Sequence, residues 1–356
     1  MVEGSGVETL TDRRTSFHET ATEPELLGFQ GGWSAEAAGP ATSVRCPVSR
    51  STGVCGVMRT VPPNGFAVAA PSLHELSFRE LIARCCVSDE ATLRRDIKST
   101  LLARGFSFVE DDYVSYRSAE RRPVSGLCNL LLTRGAPRVA LVAHTDVCRD
   151  HDAFERGTPM PVPDPVIQRH DGRTILRDRH REVQLGGDDR LGVAIALWTA
   201  LRTKRPLALL FTTDEEVGLL SAATCRFAQL ATLDLLVQID RGNHSHQLVD
   251  RIHEERICAP DVATRILAAL ERAGRPRETT NGGSTDVRAL RRNGVCRDAI
   301  NLTCGYHESY GDSGDEYIDL PEAEDTARDV RAIVQEFSRV RRARGAKAQE
   351  PERHPP

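Results

Sequence analysis

Three consecutive acids, Asp214, Glu215 and Glu216, close an unbroken apolar run that begins at Leu207 and reads LALLFTTDEEVGLL. Unpaired charge at the end of a buried strand is strongly disfavoured, so carboxylates gathered there call for a cation. Two adjacent glutamates can divide the work of a hydrolytic metal centre. One coordinates metal, and the other stays free as a base for a water whose pKa metal coordination lowers to about 7. We read Glu215 and Glu216 as the base and one ligand of a two-metal site. Two ions about 3.5–4 Å apart can hold both a nucleophile and a substrate oxygen.

Other groups with suitable chemistry precede and follow this stretch. His144-Thr145-Asp146 is an HxD arrangement, in which His144 can ligate metal while Asp146 accepts a hydrogen bond from the other ring nitrogen. The alternative is a satisfied histidine at a strand end. Asp188-Asp189 can bridge two metals through Asp188, or simply cap the helix that follows. Asp240 ends another apolar run. His244 and His246 read as a solvated loop. His151, His170 and His180 read as exposed loop histidines, with the cleft wall as the alternative. Gly282-Gly283 and Asp286 read either as a loop beside the site or as a plain turn and cap.

The elements that must position these groups follow from periodicity. Apolar residues at Leu76, Leu81, Ile82, Cys85 and Cys86 mark one helix face, and Ser88 with Asp89-Glu90 caps a second helix through Leu102. FSFVEDDYVSYR and GLCNLLLTRG read as strands of a hairpin or meander, RVALVAH as a buried strand, and IQRHDGRTILRD as a hairpin turning at Asp171-Gly172. A glycine turn and acidic pair open an apolar helix to about Leu201. After Leu207–Phe211 come a helix over 217–229, the strand LDLLVQID, a helix from Pro260 to Ala273, the strand AINLTCGY and a long closing helix with a solvated, Arg-rich face. Strands alternating with helices predict an α/β domain, a three-layer α/β/α arrangement with a mostly parallel central sheet. His144, Glu215/Glu216 and Asp240 all fall at C-terminal strand ends, where such sheets build their sites.

The totals narrow the class. A chain of 356 residues with 40% hydrophobic and 28% charged residues is a globular composition. The net charge of -4 argues against nucleic acid as the main partner. No apolar run approaches the ~20 residues of a membrane span, and MVEGSGVETLTDRR lacks signal-peptide regions, so a cytoplasmic location is expected. The ten cysteines are scattered without a CxxC pair and are expected to be reduced and packed as small apolar residues. Residues 1–72 are expected to be disordered or loosely attached, 73–342 to form the catalytic domain, and 343–356 a solvated tail.

Taken in order, AHTD, GGDDRLGVA, TTDEEVG, LVQIDRG, NGGSTDV and NLTCGYH…DEYIDL resemble the motifs of the co-catalytic di-zinc exopeptidases. That superfamily comprises aminopeptidases, tripeptidases and zinc carboxypeptidase-like deacylases. The resemblance spans roughly residues 75 to 340. It implies that His144 and Asp240 bind one metal, Glu216 and a C-terminal histidine the other, and that Asp188 bridges them. It makes Glu215 the general base and acid, with Asp146 behind His144, and the Asp188-Asp189 peptide cis. Two divalent ions, zinc first and cobalt or manganese as substitutes, are the implied cofactors.

The chain departs from the family pattern in two places. His144 to Asp188 and Asp240 to His307 are too short to hold a large inserted lid domain, so a compact form is expected. The last metal ligand is assigned to His307, although Tyr310 stands nearer the position where relatives carry histidine. The expected function is hydrolysis of amide bonds, as an aminopeptidase or small-peptide exopeptidase acting on a small peptide or acyl-amino substrate. Neither nucleic acid nor membrane is an expected partner, and a homo-oligomer is compatible with the reading. The alternatives are a deacylase of N-acyl amino acids and a metal-poor binding module of the same fold.

Overall fold

The structure, a computed structural model, describes residues 72–116, 123–124, 126–149, 151–152, 158–308 and 315–338. The expected N-terminal extension (apart from Ser72), the tail and Tyr310 lie outside the described residues.

Helix α1 (Phe78–Val87) starts with a capping box in which Ser77 and Glu80 satisfy each other's backbone N–H groups. Its buried residues include Leu81, Ile82, Cys85 and Cys86, the face expected from their spacing. Helix α2 (Glu90–Leu102) is capped by Asp89, which accepts from Thr92 N at 2.8 Å. Ser88, expected as part of that cap, instead ends α1 and donates to Arg84 O.

The strands in chain order are β1 (Ser107–Glu110), β2 (Ser115–Tyr116), β3 (Pro123–Val124), β4 (Leu130–Arg134), β5 (Val139–His144), β6 (Pro165–His170), β7 (Arg173–Asp178), β8 (Leu207–Thr212), β9 (Leu235–Arg241), β10 (Gln247–Ile252), β11 (Glu255–Arg256), β12 (Glu278–Gly282), β13 (Ala299–Thr303), β14 (Tyr306–His307) and β15 (Tyr317–Asp319). The main sheet runs β1-β4-β8-β5-β9-β13-β10-β11, with β12 beside β10. Its core, β8-β5-β9-β13, is parallel. Strands β4 and β10 flank that core in antiparallel sense.

Helices cover both faces, and strict strand alternation sorts the core. Val139, Leu141 and Ala143 of β5 join Leu207, Leu209 and Phe211 of β8 on one face. On that side lie α1, α2, α3 (Gly187–Arg202) and α7 (Leu320–Phe337). Ala140, Val142, Ala208 and Leu210 pack on the other face, with residues of α4 (Leu220–Thr224) and α6 (Asp286–Arg292). Helix α5 (Pro260–Arg272) packs its buried Ile266 and Leu270 into the first cluster. The fold is the expected three-layer α/β/α form, without a large inserted domain among the described residues.

The expected helix over 217–229 is split into α4 and a 3-10 turn at Ala228–Thr232. Phe227, Leu230 and Leu233 are buried against the second face. Their spacing of three matches the 3.0 residues per turn of a 3-10 helix, not the 3.6 of an α-helix. The β6–β7 hairpin turns at Asp171-Gly172 as expected, both with positive φ. It belongs to a second sheet, β14-β15-β7-β6.

Candidate metal centre

Neighbouring parallel strands β8, β5 and β9 bring their carboxyl ends side by side. His144 pairs in register with Thr212, and Val142 with Gln238, so Asp240 lies level with His144 two residues further on. The His144 ring is fully buried, and its Nε2 meets Asp188 Oδ1 at 3.0 Å, Asp240 Oδ1 at 3.7 Å and Glu215 Oε2 at 3.9 Å. Three sets of ligand atoms converge within 4.8 Å: His144, Asp188 and Glu216; His144, Glu215 and Asp240; and, fully buried behind them, Asp146, His151 and Asp214. Asp188, Glu215, Glu216 and Asp240 line one cavity of about 330 Å³ with Arg241, His244, Ser284 and Tyr306.

Each ligand is held by its own local device. The His144 Nδ1–H side faces the Asp146 carbonyl at 3.1 Å and the Asp146 carboxylate at 3.4 Å, so Nε2 is turned to the other acids. Asp146 also accepts from Glu215 N and Glu216 N, both at 3.3 Å, and from His151 Nε2 at 2.8 Å. One buried carboxylate thereby orients His144 and the loop carrying both glutamates. Asp214, the first of the three acids, has φ of 54° and turns away, accepting from Tyr113 OH at 2.7 Å and Ser115 Oγ at 2.9 Å. Its left-handed backbone separates a structural acid from the two that face the cavity.

The Asp188-Asp189 peptide is cis, and the two residues divide the roles weighed for them. Asp188 points to His144. Asp189 is buried and accepts from Gly192 N at 3.0 Å and His144 N at 3.2 Å, so it caps the regular part of α3. A side chain at Gly192 would come within 2.4 Å of Ile239 O, so only glycine lets α3 sit this close to β9. Glu316 reaches across from the loop before β15 to accept from Gly186 N at 2.8 Å and Gly187 N at 2.6 Å.

Asp240 sits where β9 carries one residue more than β13, the pairing shifting from Gln238↔Asn301 to Arg241↔Thr303. Asn301 accepts from Asp240 N and donates to Asp240 O, while Thr285 donates to the Asp240 carboxylate at 3.0 Å. Asp286, the first residue of α6, is buried beside the site and accepts from Thr212 Oγ1 at 2.5 Å.

The charges fit a cation. Burial, followed by the Asp188 charge, raises Glu216 to about 8 and Asp240 to about 7. Burial likewise pushes Glu215 well above the usual carboxylate range. Burial also disfavours ionising Asp146 and Asp188, but the bonded His144 outweighs it and lowers both. His144 itself is raised by these partners against the effect of burial. Carboxylates that push one another's pKa upward around a nitrogen donor form the oxygen-and-nitrogen set that suits zinc.

His307, expected as a ligand, lies outside these sets of converging ligand atoms in the structure. Side chains alternate along β14. Tyr306 points inward, its hydroxyl 3.4 Å from Asp240 Oδ1, so His307 points outward. Its Nε2 lies 3.3 Å from Glu322 Oε2, and its ring stacks on Tyr317 at 5.0 Å. Gly242 makes room for the inward tyrosine: a side chain there would lie 2.0 Å from Tyr306 Cε2. His151, expected to be exposed, is buried on Asp146, whereas His180, His244 and His246 are exposed. The eight described cysteines are free, and all but Cys148 are buried.

Sequence reasoning missed Tyr306, Glu316 and Asn301. Tyr306 follows a glycine and precedes the histidine that drew the assignment. Glu316 and Asn301 act through backbone groups, which leave no spacing signature.

No protein-family model matches the chain, and a search of curated protein sequences finds no match. Solved structures do share its fold. The aminopeptidase PepT from Bacillus cereus ATCC 10987 superposes with a TM-score of 0.60 at 15% identity, over 74% of this chain and 98% of that one. A tripeptidase from Staphylococcus aureus subsp. aureus Mu50 gives 0.57 at 13%, over 73% and 98%. A TET aminopeptidase from the marine sediment archaeon Thaumarchaeota archaeon SCGC AB-539-E09 gives 0.53 at 13%, over 73% and 99%. The chain therefore has the α/β/α fold of these peptidases, in agreement with the resemblance of its motifs. No helix among the described residues is long and apolar enough to cross a membrane.

Proposed function

We propose that the chain is a metal-dependent exopeptidase, of the aminopeptidase or small-peptide type, that hydrolyses amide bonds. The observation that carries this reading is the convergence on His144 Nε2 of Asp188, Glu215 and Asp240, with Glu216 alongside, at the strand ends of a peptidase fold. His144, Asp188 and Asp240 would hold one divalent ion, and Asp188 with Glu216 a second, zinc being best suited to these donors. Such ions, when bound, polarise the scissile carbonyl and lower the pKa of water to about 7.

The remaining work belongs to the chain. Glu215 is half-buried at the cavity wall, and its raised pKa suits it to take the proton of the attacking water and pass it to the leaving nitrogen. Asp146 keeps His144 turned so that Nε2 faces the carboxylates. Thr285 and Asn301 hold Asp240 in place. His307, engaged by Glu322 and Tyr317, is left out of the ligand set.

Metal analysis of the purified full chain, combined with a panel of short peptides and N-acyl amino acids, tests the reading. About two zinc ions per chain and hydrolysis at the peptide N-terminus are expected. Hydrolysis confined to N-acyl amino acids would replace the peptidase reading with the deacylase one. Protein that takes up no metal and cleaves nothing would end it in favour of a binding module.

A further inference from the structure

The fully buried Asp146 carboxylate has an imidazole and a glutamate amide on each of its oxygens. Its Oδ1 faces His144 Nδ1 at 3.4 Å and Glu215 N at 3.3 Å, and its Oδ2 faces His151 Nε2 at 2.8 Å and Glu216 N at 3.3 Å. His151 makes the shortest of these contacts. It stands on the segment after β5, beyond the HxD run, and is buried there. It belongs to neither set of atoms around His144 Nε2, but to the third, with Asp146 and Asp214.

A third ion does not suit that set. A carboxylate only accepts, so the His151 ring carries a proton on the Nε2 that meets Asp146, and a protonated nitrogen is no ligand. Asp214 already accepts from Tyr113 OH and Ser115 Oγ. The arrangement is a hydrogen-bonded clamp. At 2.8 Å the His151 bond lies in the normal range for N–H···O, whereas the contacts at 3.3–3.4 Å lie beyond it. His151 is therefore the partner that holds the carboxylate at its tilt. Rotation off His151 would carry Oδ1 away from His144 and from Glu215 N together. Under the function proposed above, on which this inference rests, that tilt matters, because the partner of its second nitrogen orients a metal-ligating histidine.

We propose that His151 is a positioning residue of the metal centre. By donating from Nε2 to Asp146 Oδ2 it fixes the carboxylate that aims His144 at Asp188 and Asp240 and anchors the backbone of Glu215 and Glu216. It acts through Asp146.

Zinc affinity separates this role from that of an ordinary buried histidine, which would move stability alone. Zinc is titrated into metal-free wild-type, His151→Ala and His151→Gln protein in competition with a chromophoric chelator, at a temperature where circular dichroism shows all three folded. His151→Ala should weaken zinc binding by about 10- to 100-fold, the usual effect of losing an outer partner of a metal site. His151→Gln, whose amide can still donate to Asp146, should recover part of that loss, as should imidazole added to His151→Ala. His151→Leu fills similar space without a donor and takes the place of His151→Ala if that variant does not fold. Unchanged zinc affinity in the variant without a donor, or an equal loss in His151→Gln, would overturn the proposal. Hydrolysis is read separately: zinc binding that depends on His151, with no amide cleaved by the wild-type chain, would count against the exopeptidase reading alone.

Discussion

The side-chain amide of Asn301 closes on both backbone groups of Asp240: Oδ1 accepts its N–H at 2.9 Å and Nδ2 donates to its carbonyl at 2.8 Å. These are the backbone groups that the extra residue in β9 takes out of regular pairing with β13. An irregular strand end is thereby made rigid at the point where a candidate ligand leaves it. Asn301→Ala leaves two part-buried backbone groups unpaired, and we expect it to cost about 1–2 kcal/mol of stability. It should also weaken zinc binding. Urea denaturation and zinc competition check this, and unchanged values in both would show that the clamp is dispensable.

Glu215 and Glu216 are neighbours with different tasks. Glu215→Gln keeps the shape and removes the base, so turnover should fall by about 10²–10⁴-fold while metal content stays as in the wild type. Retained activity would remove Glu215 from the mechanism.

The placement of His307 is tested by the opposite pattern. His307→Ala should leave the metal stoichiometry unchanged, because its ring faces Glu322 and Tyr317. It should lower stability by about 1 kcal/mol through the lost hydrogen bond and stacking. Loss of one metal per chain would return His307 to the ligand set.

Metal-free protein should become less stable as pH rises. Asp240 and Glu216 titrate at about 7 and about 8 in the fold, against about 4 in an unfolded chain. Between those values the folded state holds protons that the unfolded state has released, so stability is lost as pH rises from about 4.5 to about 8. The raised His144 acts in the same direction, its contribution fading as pH climbs through its folded pKa. The lowered Asp146 and Asp188 act oppositely, but only below about pH 4. Denaturation midpoints in chelator should therefore be lower at pH 8.5 than at pH 5.5. Zinc should reduce or reverse the difference, because its ligands bind deprotonated. A midpoint in chelator that increases with pH would contradict this account.

Much of the architecture was legible in residue order. Unbroken apolar runs as short as Leu207–Phe211 suit strands buried on both faces better than helices, and alternation with helices makes the core of the sheet parallel. Residues at the ends of such strands must meet, so His144, Glu215, Glu216 and Asp240 were recognisable as one group from their positions alone. The division of labour inside that group was not. Whether Asp188 or Asp189 faces the cavity depends on the turn that Glu316 holds by its glycine N–H groups.

Tertiary structure also decided the inward residue of β14. Alternation requires that only one of Tyr306 and His307 point into the site, but sequence does not state the phase. The space above Gly242 admits the tyrosine, and Glu322 with Tyr317 receives the histidine. The same holds for Arg241, whose side chain reaches the cavity because of one surplus residue in β9 that appears only when the strand is laid beside β13. Local order determined which groups could assemble, because periodicity and burial act along the chain. Packing between distant segments determined which of them face one another.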